Sequence, residues 1–246
     1  MSLGDDTSSL SLPRTRGRVG VGAARKTFLL LPILLALAAG VAVAQSNRDQ
    51  LRRLVERCLG PERASDCPTL VADRNGADEA SCRNTTQIWE KSAEFVVIRD
   101  LKECGCSSSF RHGLAMPLAY VSGVEAEDLP EGIWQFAWNA ARGRFADSDT
   151  VALAVNSRLQ RSQDQLHVHI VELADGARGK FPSGYSVNLT DLSRVWAAAR
   201  AVAREKDLRD YGVLVTRGPA NGFTLLVTDG DRWHSPEGLY TRYRCQ

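Results

Sequence analysis

The sequence contains few histidines and carries little net charge. It has only 4 histidines among 246 residues, and its formal net charge is +2. Near-balanced charge gives no basis for bulk binding to nucleic acid, so no nucleic-acid partner is expected. The chain also lacks internal repeats and a low-complexity linker. With 43% hydrophobic residues, the composition is that of a globular protein with a substantial core.

Two common kinds of site motif are also missing. No glycine-rich phosphate loop follows a predicted strand and opens a helix. The cysteines show neither the paired Cys-x-x-Cys spacing nor the Cys/His spacing that is typical of zinc sites. The sequence therefore predicts no dinucleotide-binding loop, no metal and no other cofactor.

The N-terminus has the pattern of a targeting segment. Residues 1–26 are polar and basic, and residues 27–44 (TFLLLPILLALAAGVAVA) carry no charge. A run of this kind is long enough to span a bilayer, and its basic flank places the N-terminus in the cytoplasm. We predict a cytoplasmic leader at 1–26, a signal-anchor at 27–44 and an exported domain at 45–246. Because Ala42-Val43-Ala44 resembles a signal-peptidase site, cleavage after Ala44 to leave a soluble exported domain is the alternative.

The cysteines agree with export, because all of them lie after the apolar segment. They are Cys58, Cys67, Cys82, Cys104, Cys106 and Cys245. An even number in an exported domain predicts disulfides. Cys104 and Cys106 are too close to form an unstrained ring, so we expect them to enter two different bridges. Cys245 is expected to pin the C-terminus.

The predicted elements of the exported part favour a single α+β domain. Strands are expected at 94–99, 113–120, 150–155, 165–173, 211–216 and 223–228, and helices at 47–59, 132–145 and 191–206. Residues 60–87 are expected to form a disulfide-stapled loop region. Thr190 is the expected N-cap of the last helix, and Pro117 suggests an edge strand or a bulge. Few helices between strands favour α+β over a doubly wound parallel fold.

Two of the four histidines lie in one short stretch, NSRLQRSQDQLHVHIVEL, residues 156–173. Alternation along a strand puts Gln165, His167 and His169 on one face and their apolar neighbours on the other. An imidazole can act as a nucleophile, an acid, a base or a metal ligand. A merely polar outer face is one alternative. A metal site is another, with a third ligand from His112, His234 or a carboxylate.

Polar side chains just upstream favour chemistry at phosphorus. They are Asn156, Ser157, Arg158, Arg161, Ser162 and Gln163. Guanidinium groups fit phosphate oxygens, and amides and hydroxyls add neutral donors. We predict that these residues and Gln165 bind phosphate, while His167 and His169 are catalytic. The pair Arg111-His112 is expected to be an ordinary surface pair, and a position lining the site is the alternative.

The motif QLHVH resembles the His-x-His-x-His signature of the histidine-triad (HIT) superfamily. More narrowly, the chain is similar to the CDP-diacylglycerol pyrophosphatases, a membrane-bound bacterial branch. The similarity rests on the N-terminal apolar segment, LAVNSRLQRSQDQLHVHI, FVVIRD, GLAMP followed by VSGVE, FAWNAAR, YGVLVTR with GFTLLVT, and a near-terminal cysteine. It covers nearly all of residues 48–246. It implies a HIT-like antiparallel sheet with flanking helices, in a periplasmic domain held at the inner membrane.

The resemblance also implies roles for individual residues. The nucleophile of the family falls on His167, which would form a nucleotidyl-histidine, and His169 would bind phosphate and assist proton transfer. The substrate would be the lipid-nucleotide CDP-diacylglycerol, split into CMP and phosphatidate. The first triad position departs from the family pattern, because it is Gln165 rather than histidine. A glutamine side chain cannot carry a proton at neutral pH. A domain that binds nucleotide or lipid phosphate without turnover is therefore the alternative.

Overall fold

A computed structural model describes residues 48–60, 62–71, 79–231 and 233–245. The predicted leader at 1–26 and the predicted anchor at 27–44 lie outside these residues. Within the described part of the chain, none of the helices has the length and apolarity that crossing a membrane requires.

The described residues form five α-helices and nine strands. The helices are α1 (Gln50–Cys58), α2 (Glu79–Arg83), α3 (Gly132–Arg142), α4 (Val195–Glu205) and α5 (Pro236–Tyr240). The strands are β1 (Thr69–Val71), β2 (Thr85–Lys91), β3 (Phe95–Arg99), β4 (Gly113–Pro117), β5 (Val151–Val155), β6 (Val168–Glu172), β7 (Ser186–Leu189), β8 (Tyr211–Arg217) and β9 (Phe223–Asp229). The α+β expectation is confirmed.

All nine strands belong to one sheet, in the order β1-β2-β3-β4-β6-β5-β8-β9-β7. β1 and β2 run parallel, and every other neighbouring pair is antiparallel. The sheet is thus mixed rather than purely antiparallel. β6 lies between β4 and β5, with His169 opposite Leu114 on one side and Ala154 on the other. This register places the histidine strand at the centre of the sheet.

The two faces of the sheet are covered by different helices. α3 and α4 pack on one face, where Trp134 and Trp196 have ring centroids 4.7 Å apart. The opposite face is covered by α1 next to β3 and β4, and by α5 next to β5 and β8. Strand alternation explains the division, because Leu153 of β5 joins the first core while Ala154 joins the second.

Three local expectations are corrected. Residues 60–87 contain β1, α2 and the start of β2 as well as loops. β4 is an interior strand, and Pro117 is tolerated because it is the last residue of β4, where β6 no longer pairs. The last long helix, α4, begins at Val195 rather than near residue 191.

The start of α4 is set by a contact that is distant in sequence. The Glu131 carboxylate accepts hydrogen bonds from the backbone N–H groups of Trp196 and Ala197, which satisfies two orphan donors of the first turn. The expected cap, Thr190, lies before a tight turn in which Ser193 donates to Asp191. The start of α4 is therefore set by the cap from Glu131 and not by the local sequence around Thr190.

The disulfide prediction is confirmed. The bridges are Cys58–Cys67, Cys82–Cys104 and Cys106–Cys245. Cys104 and Cys106 enter two different bridges, and Cys245 ties the C-terminal segment to the loop after β3. Three disulfides favour an oxidising compartment.

Candidate active site

The two histidines of the HVH motif face the same cavity. Leu166, Val168 and Ile170 are buried in the core beneath α3 and α4, so alternation turns His167 and His169 to the other face. There they line a cavity of about 450 Å³ whose wall is partly formed by α1. The predicted alternation is therefore confirmed, although β6 itself begins only at Val168.

The tautomer of His167 is set by a backbone carbonyl. Its Nδ1 lies 2.7 Å from the carbonyl oxygen of Gln165. A carbonyl can only accept, so Nδ1 carries the proton and Nε2 keeps its lone pair. Burial lowers the pKa of His167 below its usual 6.5, against the opposing effect of this hydrogen bond. The neutral imidazole is favoured, with an unprotonated Nε2.

The same logic, over a longer path, fixes the tautomer of His169. His112 Nδ1 donates to the Tyr243 carbonyl oxygen at 3.1 Å, so His112 Nε2 is an acceptor when the ring is neutral. That atom lies 3.1 Å from His169 Nδ1, which must then donate. His169 is left with a lone pair on Nε2. Burial lowers the pKa of both rings, and that of His169 lies well below 6.5.

Glu237 connects the histidines to other polar groups. Its Oε1 lies 3.3 Å from His169 Nδ1 and 2.5 Å from Lys102 Nζ. Its Oε2 accepts from Asn156 Nδ2 at 2.9 Å, and the same amide nitrogen is 3.4 Å from His169 Nε2. Glu237 is 4% exposed. A buried carboxylate of this kind needs such partners, and here it has a cation, an amide and an imidazole N–H.

The cavity combines positive charge with apolar surface. Its basic lining residues are Arg53, Arg57, Arg83, Arg99 and Lys102. Its apolar lining residues include Leu51, Leu54, Ile98, Leu101 and Leu114. Asp66 and Asp100 also line it. The lining suits a ligand that has both anionic and apolar parts.

Five of the seven residues that were predicted to bind phosphate fall into three groups. Ser162 and Gln163 line the cavity, and Gln163 Oε1 also accepts from the Leu51 backbone N–H at 3.0 Å. Asn156 lies beside His169, as described above. Ser157 is fully buried, and Arg158 is exposed with its backbone N–H bonded to Asp210. These two residues do not line the cavity.

The other two predicted ligands have structural partners. Arg161 is buried and donates to the Glu125 carboxylate and to the Ser122 carbonyl oxygen. The Gln165 amide donates to the carbonyl oxygens of Pro117 and Ala119, at 3.1 and 2.9 Å. Neither side chain lines the cavity, so the geometry gives them roles in holding the loop before β6.

Three side chains of this constellation, Asp100, Lys102 and Glu237, were not predicted from the sequence. His112 was considered only as an alternative, as a metal ligand or a residue lining the site. The surface assignment of His112 is wrong, because this residue is 0% exposed and contacts His169. The signal that could have found it is strand pairing, since Leu114 lies opposite His169. Asp100, Lys102 and Glu237 lie in loop-like or turn-like sequence without a motif.

One set of these residues could hold a metal ion. The donor atoms of Asp100, His112 and His169 lie within 4.8 Å of one another. The two imidazoles hydrogen-bond to each other through His112 Nε2 and His169 Nδ1. Binding of a metal there would require His169 Nδ1 to lose its proton.

Comparison with protein families gives a match over more than half of the chain. The family model described as CDH, CDP-diacylglycerol pyrophosphatase, matches residues 46–181. The matched range contains Lys102, His112, Asn156 and both cavity histidines. It ends before Glu237, so α5 and the last disulfide partner lie beyond it.

Proposed function

The chain belongs to the CDP-diacylglycerol pyrophosphatase family of hydrolases, and from this premise we propose that it splits CDP-diacylglycerol into CMP and phosphatidate through a nucleotidyl-histidine. The observation that carries the proposal is the hydrogen bond from His167 Nδ1 to the Gln165 carbonyl oxygen. It leaves the His167 Nε2 lone pair available beside a cationic cavity, as a histidine nucleophile requires. This arrangement supports a HIT-like site even though Gln165 occupies the first triad position.

In the first step, His167 Nε2 attacks the phosphorus that carries cytidine. A nitrogen–phosphorus bond forms, and the bond from this phosphorus to the bridging oxygen breaks. Phosphatidate leaves with the electron pair of that bond. Charge on the phosphoryl oxygens is met by the cations of the cavity lining.

In the second step, water resolves the nucleotidyl-histidine. The water oxygen bonds to phosphorus, the nitrogen–phosphorus bond breaks, and CMP leaves. The His169 Nε2 lone pair accepts the proton of the attacking water, because its Nδ1 proton is committed to His112. Neutral His167 is regenerated with its Nδ1 proton still directed at Gln165. His169 then releases the accepted proton to solvent and returns to its neutral form.

The cavity lining supports a lipid-nucleotide as the substrate. Arginines and a lysine match the two charged phosphates, and leucines of α1 offer an apolar wall. α1 begins at Gln50, six residues after the end of the apolar segment at 27–44. If that segment is an anchor, the site is held near a bilayer surface. Because three disulfides favour an oxidising compartment, we propose that the catalytic domain lies in the periplasm at the inner membrane.

CMP release by the full chain in detergent micelles of CDP-diacylglycerol tests the proposal. His167→Ala should reduce turnover by about 10⁴-fold or more, as for other lost nucleophiles. His234→Ala is the matched control, because His234 is exposed and does not line the cavity. It should retain wild-type turnover.

The covalent intermediate needs a separate test. Substrate labelled in the cytidine moiety is mixed with His169→Ala enzyme and quenched in alkali, and the label is followed on the denatured protein. Slowed hydrolysis should leave label on the chain, and His167→Ala should abolish it. Turnover without labelling would remove the covalent step. Binding of CDP without turnover would identify a domain that only binds its ligand.

A further inference from the structure

Resting on the proposed function, we infer that Lys102 is a further catalytic residue, the cation that stabilises the departing phosphatidate oxygen, and that Glu237 positions it. The proposed mechanism provides a nucleophile and a base, but it leaves the charge on the leaving oxygen without an assigned partner. Gln165 cannot fill this role, because its amide is bonded to two backbone carbonyl groups away from the cavity.

Lys102 lies where a leaving-group cation is needed. It lines the same cavity as His167 and His169, and its side chain is 31% exposed. Its Nζ is bonded to Glu237 Oε1 at 2.5 Å and lies 5.3 Å from the centroid of the Tyr243 ring. The ammonium group therefore has one anionic contact and one aromatic contact, on a part-exposed side chain of the cavity lining.

The charge of Lys102 also acts on the histidine cluster. It lowers the pKa of His112, His167 and His169, as a neighbouring positive charge does. The nucleophile and the base are thus close enough to sense this ammonium group. Burial remains the larger cause of each shift, so the argument depends on the position of Lys102 rather than on these pKa values.

Two other cations of the cavity lining, Arg99 and Arg57, are held by partners of their own. Arg99 is buried and donates to the Gln87 side chain, the Cys82 carbonyl oxygen and the Thr85 hydroxyl. Arg57 forms an ion pair with Asp66 at 2.9 Å. These contacts hold both guanidinium groups on partners outside the histidine cluster, whereas Lys102 is bonded to Glu237.

The backbone around Lys102 is held firmly. Its N–H donates to Asp100 Oδ1 at 2.9 Å in the short 3₁₀ helix Leu101–Glu103. Cys104 and Cys106 follow directly, and each is tied to a distant part of the chain. Glu237 is fixed from the other side by Asn156. Preorganised charge of this kind stabilises a transition state without reorganisation at the moment of reaction.

In the proposed step, the bond between the attacked phosphorus and the bridging oxygen breaks as the His167 nitrogen bonds to phosphorus. The electron pair stays on the bridging oxygen, which becomes a terminal oxygen of phosphatidate. The Lys102 ammonium group forms an ion pair with that oxygen. No proton transfer is required for balance, because phosphatidate leaves as an anion and Lys102 stays charged.

Dependence on the leaving group tests this assignment. Lys102→Gln should slow hydrolysis of CDP-diacylglycerol by about 100-fold, as for the loss of one transition-state donor. The p-nitrophenyl ester of CMP releases a monoanion whose charge is spread over the ring, whereas phosphatidate leaves with its charge concentrated on phosphate oxygens. On this ester the same variant should therefore lose less than about fivefold. Glu237→Gln should show the same pattern more weakly, since it positions Lys102. Lys91→Gln, outside the cavity, is the control and should match wild type on both esters.

The outcomes separate this inference from the proposed function. Equal losses on both esters for Lys102→Gln would overturn the leaving-group role and indicate a structural one. Full activity of Lys102→Gln on the lipid substrate would overturn it as well. Failure of the covalent mechanism would appear differently, as retained turnover of both esters by His167→Ala.

Discussion

The candidate site draws on two regions whose residues reach it in different ways. The block at 156–169 is local, and strand alternation alone turns His167 and His169 to one face. The remote group comprises Asp100, Lys102, His112, Glu237 and Tyr243, which lie around residues 100–102, at 112 and at 237–243 and meet only in the folded chain. The first region contains the proposed nucleophile, and the second surrounds the proposed base.

The difference between the regions is clearest in how each histidine acquires its tautomer. His167 is fixed by a carbonyl two residues before it in the chain. His169 is fixed through His112, and His112 through the Tyr243 carbonyl near the C-terminus. The tautomer of the proposed nucleophile is therefore specified by local backbone geometry, whereas that of the proposed base depends on the tertiary fold. Perturbing the remote group should affect the base before the nucleophile.

Removing the Cys106–Cys245 disulfide should have the largest effect on stability. In the chain-entropy treatment, a bridge across 139 residues contributes about 5 kcal/mol, and one across 9 residues about 2.5 kcal/mol. The double serine variant of the first pair should therefore lose more unfolding free energy than that of Cys58 and Cys67. Urea unfolding of the two variants measures the difference.

Activity of the same variants sharpens the comparison. Tyr243 lies two residues before Cys245, so loss of this bridge should loosen the carbonyl that orients His112. CMP release should then fall further than in the Cys58/Cys67 variant at equal folded fraction. Equal losses of activity would mean that the C-terminal carbonyl does not control the site.

Replacing His112 should have the next largest effect. His112→Ala removes the nearer acceptor of His169 Nδ1, at 3.1 Å, and leaves only Glu237 Oε1 at 3.3 Å, so the neutral tautomer with a lone pair on Nε2 is held less firmly. We expect a loss of about 100-fold in kcat, at the lower end of the range for acid–base catalysis. CMP release reports it, and His234→Ala is the control. If the loss is similar to that of the control, the tautomer argument for His169 is wrong.

The sequence could predict the local region because the pattern and the chemistry lie in the same few residues. The alternation in QLHVHI is sufficient to place two imidazoles on one face and three apolar side chains in the core. The spacing of Cys104 and Cys106 likewise requires two separate bridges. Such inferences need only neighbours in the chain.

The remote group could not be predicted in the same way. His112 follows an arginine and precedes a glycine, which suggests a surface loop, yet it is fully buried because β4 pairs with β6. Glu237 lies in a five-residue helix without a motif. The side chains of Arg161 and Gln165 suit phosphate binding, but partners on other segments hold them elsewhere. Each assignment depends on contacts distant in sequence.

The pH dependence of catalysis should reflect the buried imidazoles. Burial lowers the pKa of His167 and His169, opposed for His167 by the charges of Asp100 and Glu237. Both rings therefore remain neutral at pH values where a solvated histidine would be protonated. The acid limb of the kcat/KM profile should lie below 6.5. An acid limb at or above 6.5 would contradict the burial argument.

The free energy of unfolding should also decrease in acid. The unfolded chain, with histidine pKa values near 6.5, binds more protons in acid than the folded chain, so the free energy of unfolding falls as pH decreases below about 6.5. The contribution is fully present above that pH. Urea unfolding at several pH values measures it, and His112→Ala should flatten the dependence.

The smallest effect on catalysis is expected from the side chain of Gln165. Gln165→Ala removes two hydrogen bonds to backbone carbonyl oxygens, which should cost about 1–3 kcal/mol of unfolding free energy. The backbone carbonyl that orients His167 remains, so kcat should stay within about threefold of wild type. CMP release and urea unfolding measure the two effects. A loss of kcat as large as that of His112→Ala would show that this side chain acts in the chemistry, and that the local region contributes more than its two histidines.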